Sequence, residues 1–260
     1  MAKSLIIQDL VSNKASLSQA LERILIISLE LGDQKVQDWV KNEVNGYKTK
    51  NLPEYRYTEL IPIGSYQLYS LGSLLRYSNQ ILPTMGVPED LKKDMNHHGL
   101  TQGIPELLDQ KAQIEKGGTV GIPVSPEMFS MFQKGTNAEV TSAILSFSSY
   151  AIEGIIEEVR IRAIELLTLY EKNFGNLDQF DISQNEYSDS DIGKLKDAAD
   201  TIIKGGSIGN TVIVNSKIKG SNIGKNNSSS KEIKTEVNPN VNLAPKESLF
   251  SKMLHIFKKR

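Results

Sequence analysis

SLSQALERILIISLELGDQKVQDWVKNEVNG, residues 16–46, reads as two helices joined by almost no chain. Ser16 stands where an N-cap belongs, and Gln19 follows at the spacing of a capping box, in which two side chains satisfy each other's free backbone N–H groups. Leu17, Leu21, Ile24, Leu25 and Leu31 then recur at helical intervals. Gly32 has no Cβ to resist the left-handed conformation that closes a helix, and Asp33 carries the short acceptor that opens the next one. Val36, Trp39, Val40 and Val44 share a side of that second helix, which stops at Asn45-Gly46. With so short a link, the two apolar stripes meet only by folding back, so the stretch predicts a helical hairpin.

Working outward, residues 4–11 are expected to form a shorter segment packed ahead of the hairpin. Pro53 ends the helical pattern, and Tyr55, Tyr57, Leu60, Ile61 and Ile63 predict extended chain. Pro62 has no N–H for a ladder and points to an edge strand. Residues 66–82 are open between strand and irregular chain. Short helices are expected at 91–95, 105–114 and 126–132, and a strand at 140–148. The longest element follows: Ile152, Ile155, Ile156, Val159, Ala163, Leu166, Leu167 and Tyr170 mark one face, with Ile161, Ile164 and Leu169 widening it and Gly175 ending it. A helix apolar over so much of its circumference belongs at the centre of a domain. The expected core includes Leu21, Leu25, Trp39, Val159 and Leu166.

The fold class is therefore α+β, helix-dominated: an N-terminal helical hairpin, a small antiparallel sheet, a long central helix, then a short β segment and a disordered tail. The expected division is a globular domain at 1–175, an acidic linker and short amphipathic helix at 176–204, a Gly-rich β segment at 205–225, a disordered linker at 226–247 and a basic amphipathic helix at 248–260. In the β segment Ile208, Val212, Val214 and Ile218 form a period-two stripe. A lone two-stranded unit is marginal in water, so this one needs a surface, for which a second copy of the chain is favoured. On a helical wheel Leu249, Phe250, Met253, Leu254, Ile256 and Phe257 fall within an arc of roughly 160°. Lys252, His255, Lys258 and Lys259 fall opposite. These residues, with Arg260, are the candidate docking residues of the tail. An anionic membrane surface, a groove on a protein partner and the chain's own domain are all open as their target.

The net charge of -1 gives no argument for nucleic acid as a partner. It is unevenly spread: residues 217–260 hold 10 Lys and Arg against 3 Glu, or +7, which leaves -8 on residues 1–216. The absence of cysteine excludes disulfides, thiolate metal sites and a cysteine nucleophile, and suits a reducing compartment. No apolar run approaches the roughly 20 residues of a membrane-spanning helix. A soluble cytoplasmic protein is expected, with a peripheral place at the inner membrane face open to its basic tail.

No motif for catalysis is complete. His97 and His98 are adjacent and point roughly 100° apart on a helix, a poor metal pair even with Asp94 one turn away. Glu153 and Glu157 stand one turn apart, the spacing of paired carboxylates in a metal-dependent nuclease, but Glu158 and Arg162 at i,i+4 read as an ordinary surface pair. Gly205-Gly206-Ser207-Ile208-Gly209 follows a helix and precedes a strand, the reverse of a phosphate loop, and residues 220–225 miss the Walker spacing. No cofactor and no metal are expected.

Gln37-Asp38-Trp39-Val40-Lys41-Asn42-Glu43-Val44-Asn45-Gly46-Tyr47, followed by Pro53-Glu54-Tyr55-Arg56, resembles the signature of the AbiTii family. Residues 155–171, with Val159-Arg160 and Leu166-Leu167, are similar to the family's closing helix. The resemblance covers roughly residues 4–173, and 67–137 carry no part of it. It implies abortive phage defence, in which an infected bacterium stops growing before the phage matures, and it transfers no catalytic residues. Glu43, Tyr47, Tyr55 and Arg56 are the candidate binding residues. The alternative account is that they fix the angle between hairpin and sheet. The expected function is binding or sensing within a defence system. A toxic effector enzyme, most plausibly a nuclease, and a structural partner without activity are the alternatives.

Overall fold

The structure, a computed structural model, describes residues 3–48, 52–178 and 188–206. Helices α1 (Leu5–Val11), α2 (Leu17–Glu30) and α3 (Gln34–Asn45) open it. The capping box forms: Gln19 N–H donates to Ser16 Oγ at 3.2 Å, and Ser16 N–H donates to Gln19 Oε1 at 3.0 Å. Gly32 sits at φ +62°, and Asp33 Oδ1 accepts from Val36 N–H. The turn built from these two residues lays α3 back on α2.

A 3-10 turn, Glu54–Arg56, leads into β1 (Tyr57–Thr58), β2 (Ile61–Ser70) and β3 (Ser73–Ile81). Then come α4 (Glu89–Asn96), β4 (His98–Gly99), α5 (Ile104–Glu115), β5 (Gly121–Pro123), α6 (Ser130–Gln133) and β6 (Ala138–Ser146). The main sheet has the order β3-β2-β6-β5 and is antiparallel throughout; β1 and β4 form a separate short ladder. Residues 66–82, open in the sequence, are a hairpin. Its two-residue loop is Leu71-Gly72, both at positive φ (50° and 78°), the turn geometry that matches the twist of paired strands.

The edge-strand expectation from Pro62 is corrected, because β2 lies between β3 and β6. Pro62 is the second residue of the strand, one position before pairing with β3 starts at Ile63↔Ile81. At a strand start the missing N–H costs the ladder nothing.

Helix α7 (Ser149–Phe174) packs against α1, α2, α5 and helix α8 (Asp189–Ile203). Val159, Leu166, Leu21 and Trp39 are buried as expected. Leu25 is only half-buried, at the edge of the core, and Ile161 faces outward at 50% exposure instead of widening the buried face. The Glu158–Arg162 pair forms, but Arg162 is buried rather than at the surface. Ser188 caps α8, which presses Leu195, Ala198, Ala199, Ile202 and Ile203 into the core. Lys35–Asp200 (2.8 Å) and Lys196 to the Gly32 carbonyl (3.1 Å) tie α8 to the turn between α2 and α3.

The start of the chain is stitched to the end of α7. Ser4 Oγ donates to Glu171 at 2.6 Å and accepts from Leu177 N–H at 2.9 Å, while Lys3 pairs with Glu171 at 2.7 Å. The β segment expected from 208 onward, the linker 226–247, the amphipathic helix 248–260 and residues 179–187 of the acidic linker lie outside the described residues. Among the described residues no helix is long and apolar enough to cross a membrane.

Candidate functional site

Glu43, Tyr47, Tyr55 and Arg56 converge. Helix α3 carries Glu43 on its inner face one turn beyond Trp39. Gly46, at φ +92°, then turns the chain so that Tyr47 comes back over Glu43. The 3-10 turn delivers Tyr55 and Arg56 from the other side. Glu43 and Arg56 form an ion pair with both side chains at 0% exposure. Tyr47 OH donates to Glu43 Oε1 at 2.6 Å, Tyr55 OH donates to the same oxygen, and Trp39 Nε1–H donates to Tyr55 OH at 3.0 Å.

Arg56 also donates to the Gln102 carbonyl at 2.6 Å and lies 5.0 Å over the Tyr47 ring, while its Nε is buried with no acceptor. Burial, and then the Glu43 charge, push both tyrosines far above the ordinary phenol range, so both stay protonated donors. A Cβ on Gly103 would stand 2.2 Å from the Val44 carbonyl, so only glycine lets the two backbones approach this closely. Arg162 covers the outer side of the Tyr55 ring at 4.2 Å. The cluster thus clamps α3, the 3-10 turn and residues 101–103 together through internal bonds.

The surface features lie elsewhere. Every residue of β3 is exposed, and β3 is an edge of the sheet. Leu74, Leu75, Tyr77 and Ile81 stand uncovered there, with Tyr69 and Leu71 at the hairpin tip. Cross-strand pairs Tyr66↔Tyr77 and Leu68↔Leu75 put four of the hairpin's apolar side chains on one face. Beside them opens a groove of about 250 Å3, lined by Tyr66, Leu68, Leu82, Phe132 and Val140 among others. This hairpin is what sequence reasoning missed. The signal was Leu71-Gly72 between two runs of Tyr and Leu, a glycine at the second position of a two-residue turn.

A second cleft, of about 330 Å3, lies between α1, α5 and α7. Glu153 and Glu157 are on its rim with Lys111 and Arg160. His97 stacks on Tyr57 with ring centroids 4.0 Å apart, and His98 turns the other way toward Phe147. Burial holds His98 below the ordinary histidine range. Among the described residues no three His, Cys, Asp or Glu gather as a metal site would require. The tail residues Leu249, Phe250, Lys252, Met253, Leu254, Phe257, Lys258, Lys259 and Arg260 lie outside the described residues.

In comparisons with known proteins, the family model described as AbiTii matches residues 4–193. Nothing among the curated proteins or the solved structures matches the chain.

Proposed function

The chain belongs to the AbiTii family, which carries a role in abortive-infection defence against phage, and we propose that within this role it acts as a binding or sensing protein. The uncovered hairpin carries the reading. An edge strand with Leu74, Leu75, Tyr77 and Ile81 in the open offers unpaired backbone groups and apolar side chains together, the combination that strand-addition partners use. On one face Leu75 and Tyr77 adjoin Leu68 and Tyr66 across the hairpin, and soluble proteins rarely leave such a patch without a use for it. The buried Glu43–Arg56 cluster supports the reading from inside, because it fixes α3 against the turn from which β1 and β2 start.

The test is phage challenge of the native bacterium carrying Leu75→Glu plus Tyr77→Glu. The control is Leu29→Glu, at a residue likewise exposed (55% against 40% for Leu75 and 39% for Tyr77) but on α2. Both variants are expected to keep their circular dichroism, and only the hairpin variant to lose protection. Equal protection from the two would overturn the reading. Protection that instead vanished with Glu153→Gln plus Glu157→Gln would favour an effector enzyme.

A further inference from the structure

Alternation along β2 turns Pro62 and Gly64 to the buried side of the sheet and Ile63, Ser65, Gln67 and Tyr69 to its outer face. The registers with β3 and β6 then set side chains in rows across that face, because directly paired residues share a side. One row is apolar: Ile81 of β3, Ile63 of β2 and Ile144 of β6. None of the three is buried, and Ile81 is 72% exposed. Further along β2 a second row is polar: Arg76, Gln67 and Glu139. Between the rows lie Ser65 and Ser142, too short to stand above them. Gln67 Nε2–H donates to Glu139 Oε2 at 2.7 Å, a bond that neutralises no charge. Among the described residues neither Arg76 nor Glu139 forms an ion pair.

We propose that this outer face packs on the same face of a second copy of the chain, around a two-fold axis that runs along β2. A contact of this symmetry sets one patch against itself, so the patch must be complementary to its own rotated image. An axis along β2, lying between the two sheets, leaves each row opposite itself and exchanges its ends. Arg76 then meets the partner's Glu139, and Glu139 meets the partner's Arg76. Ile63 lies on the partner's Ile63, and Ile81 on the partner's Ile144. Other axes fail. One across the strands at the polar row sets Arg76 on the partner's Arg76, and like charges face to face are costly. The same axis placed midway between the rows sets isoleucines on charges. Pairing of β3 edges leaves Glu139, on the third strand, with no part in it. It would also meet the bulge at Asn79, whose φ of +54° interrupts β3. Sheets stacked face to face stand about 10 Å apart, a gap that isoleucines from both sides fill and that an arginine spans to a facing carboxylate. From Ile63 to Tyr69 the face runs about 20 Å and is three strands wide. A contact of that size is at the small end of those that join two proteins, so the dimer should dissociate on dilution. Leu75 and Tyr77 stand on the other side of the sheet, so this contact is independent of what the hairpin binds there.

The test is sedimentation equilibrium of the full-length chain from about 1 to about 100 μM, the range in which a small interface associates. A monomer is expected at the dilute end and a dimer at the concentrated end. Arg76→Glu and Glu139→Arg are each expected to weaken association more than about tenfold, since each sets like charges against each other twice. An equimolar mixture of the two should recover the dimer, because one subunit then offers two glutamates where the other offers two arginines. Ile81→Glu should separate the copies, and Leu75→Glu should leave them paired. All four positions are exposed, and circular dichroism checks that each variant is folded. A monomer at every concentration in the unaltered chain overturns the proposal. So does a dimer that both charge variants leave within about tenfold of its strength, which would place the contact elsewhere in the chain. Charge variants that separate but do not combine when mixed overturn the pairing of Arg76 with the partner's Glu139. Loss of the dimer in Leu75→Glu with no loss in Ile81→Glu would move it to the other side of the hairpin and overturn it as well.

Discussion

Glu43 is a fully buried carboxylate held by a guanidinium and two phenols. Removing one partner of such a pair leaves the other charged in the interior, which costs about 3–5 kcal/mol. Glu43→Ala is therefore expected to lower the urea midpoint steeply, while Glu89→Ala, from an exposed pair with Lys92, shifts stability by less than about 1 kcal/mol. Comparable losses in the two variants would remove the clamp from the account.

His98 gives a pH dependence. Burial lowers its proton affinity below the ordinary value of 6.5, so the unfolded chain binds the proton more readily than the folded one. Stability is then complete above that value and falls as pH drops through it toward the lower folded value. Melting at about pH 7.5 and about pH 5.5 should show a smaller loss in His98→Gln than in the unaltered chain, and an unchanged loss would contradict the assignment. At this scale the sequence is most legible where partners are close along the chain. Ser16 with Gln19 and Asp33 with Val36 were readable because three residues separate them. The Trp39–Tyr55 bond and the Arg56–Gln102 bond join residues 16 and 46 positions apart, and no local pattern announces them.

Elements were legible where periodicity ran long. The α7 stripe predicted a central helix, and the structure surrounds it with four others. The hairpin of β2 and β3 was not, because its strands keep apolar side chains on both faces and so lose the alternation that marks a half-buried strand. Pro62 misled for a different reason: the proline rule concerns a ladder donor, and at the start of β2 none is needed.

Helix α8 was readable as amphipathic, but its place was not, since the residues that receive it sit on α3 and α7. That placement has a consequence for where the domain can be cut. Leu195, Ile202 and Ile203 are each 9% exposed or less, and burying a large aliphatic side chain contributes roughly 1.5–3 kcal/mol. A chain ending at residue 175 is expected to melt well below one ending at 206, and coincident melting curves would show that α8 contributes nothing.

At the scale of the molecule, fold class was legible from composition and periodicity, while the strand order β3-β2-β6-β5 was not, because β6 enters the sheet from more than 60 residues away along the chain. The cleft was equally invisible: Leu10, Leu108 and Ile156 come from three helices, and only their packing makes a floor. One long-range contact also sets a timetable. Ser4 and Lys3 find their partners at Glu171 and Leu177, almost the full length of the domain away. During synthesis the first helix emerges from the ribosome long before its anchor exists. Until residue 177 clears the exit tunnel, α1 has only part of its final seat, and the nascent chain holds Ile7 and Leu10 without the α7 surface that buries them. Completion of this domain is thus a late event in translation, and a chain halted partway leaves its first helix unsecured.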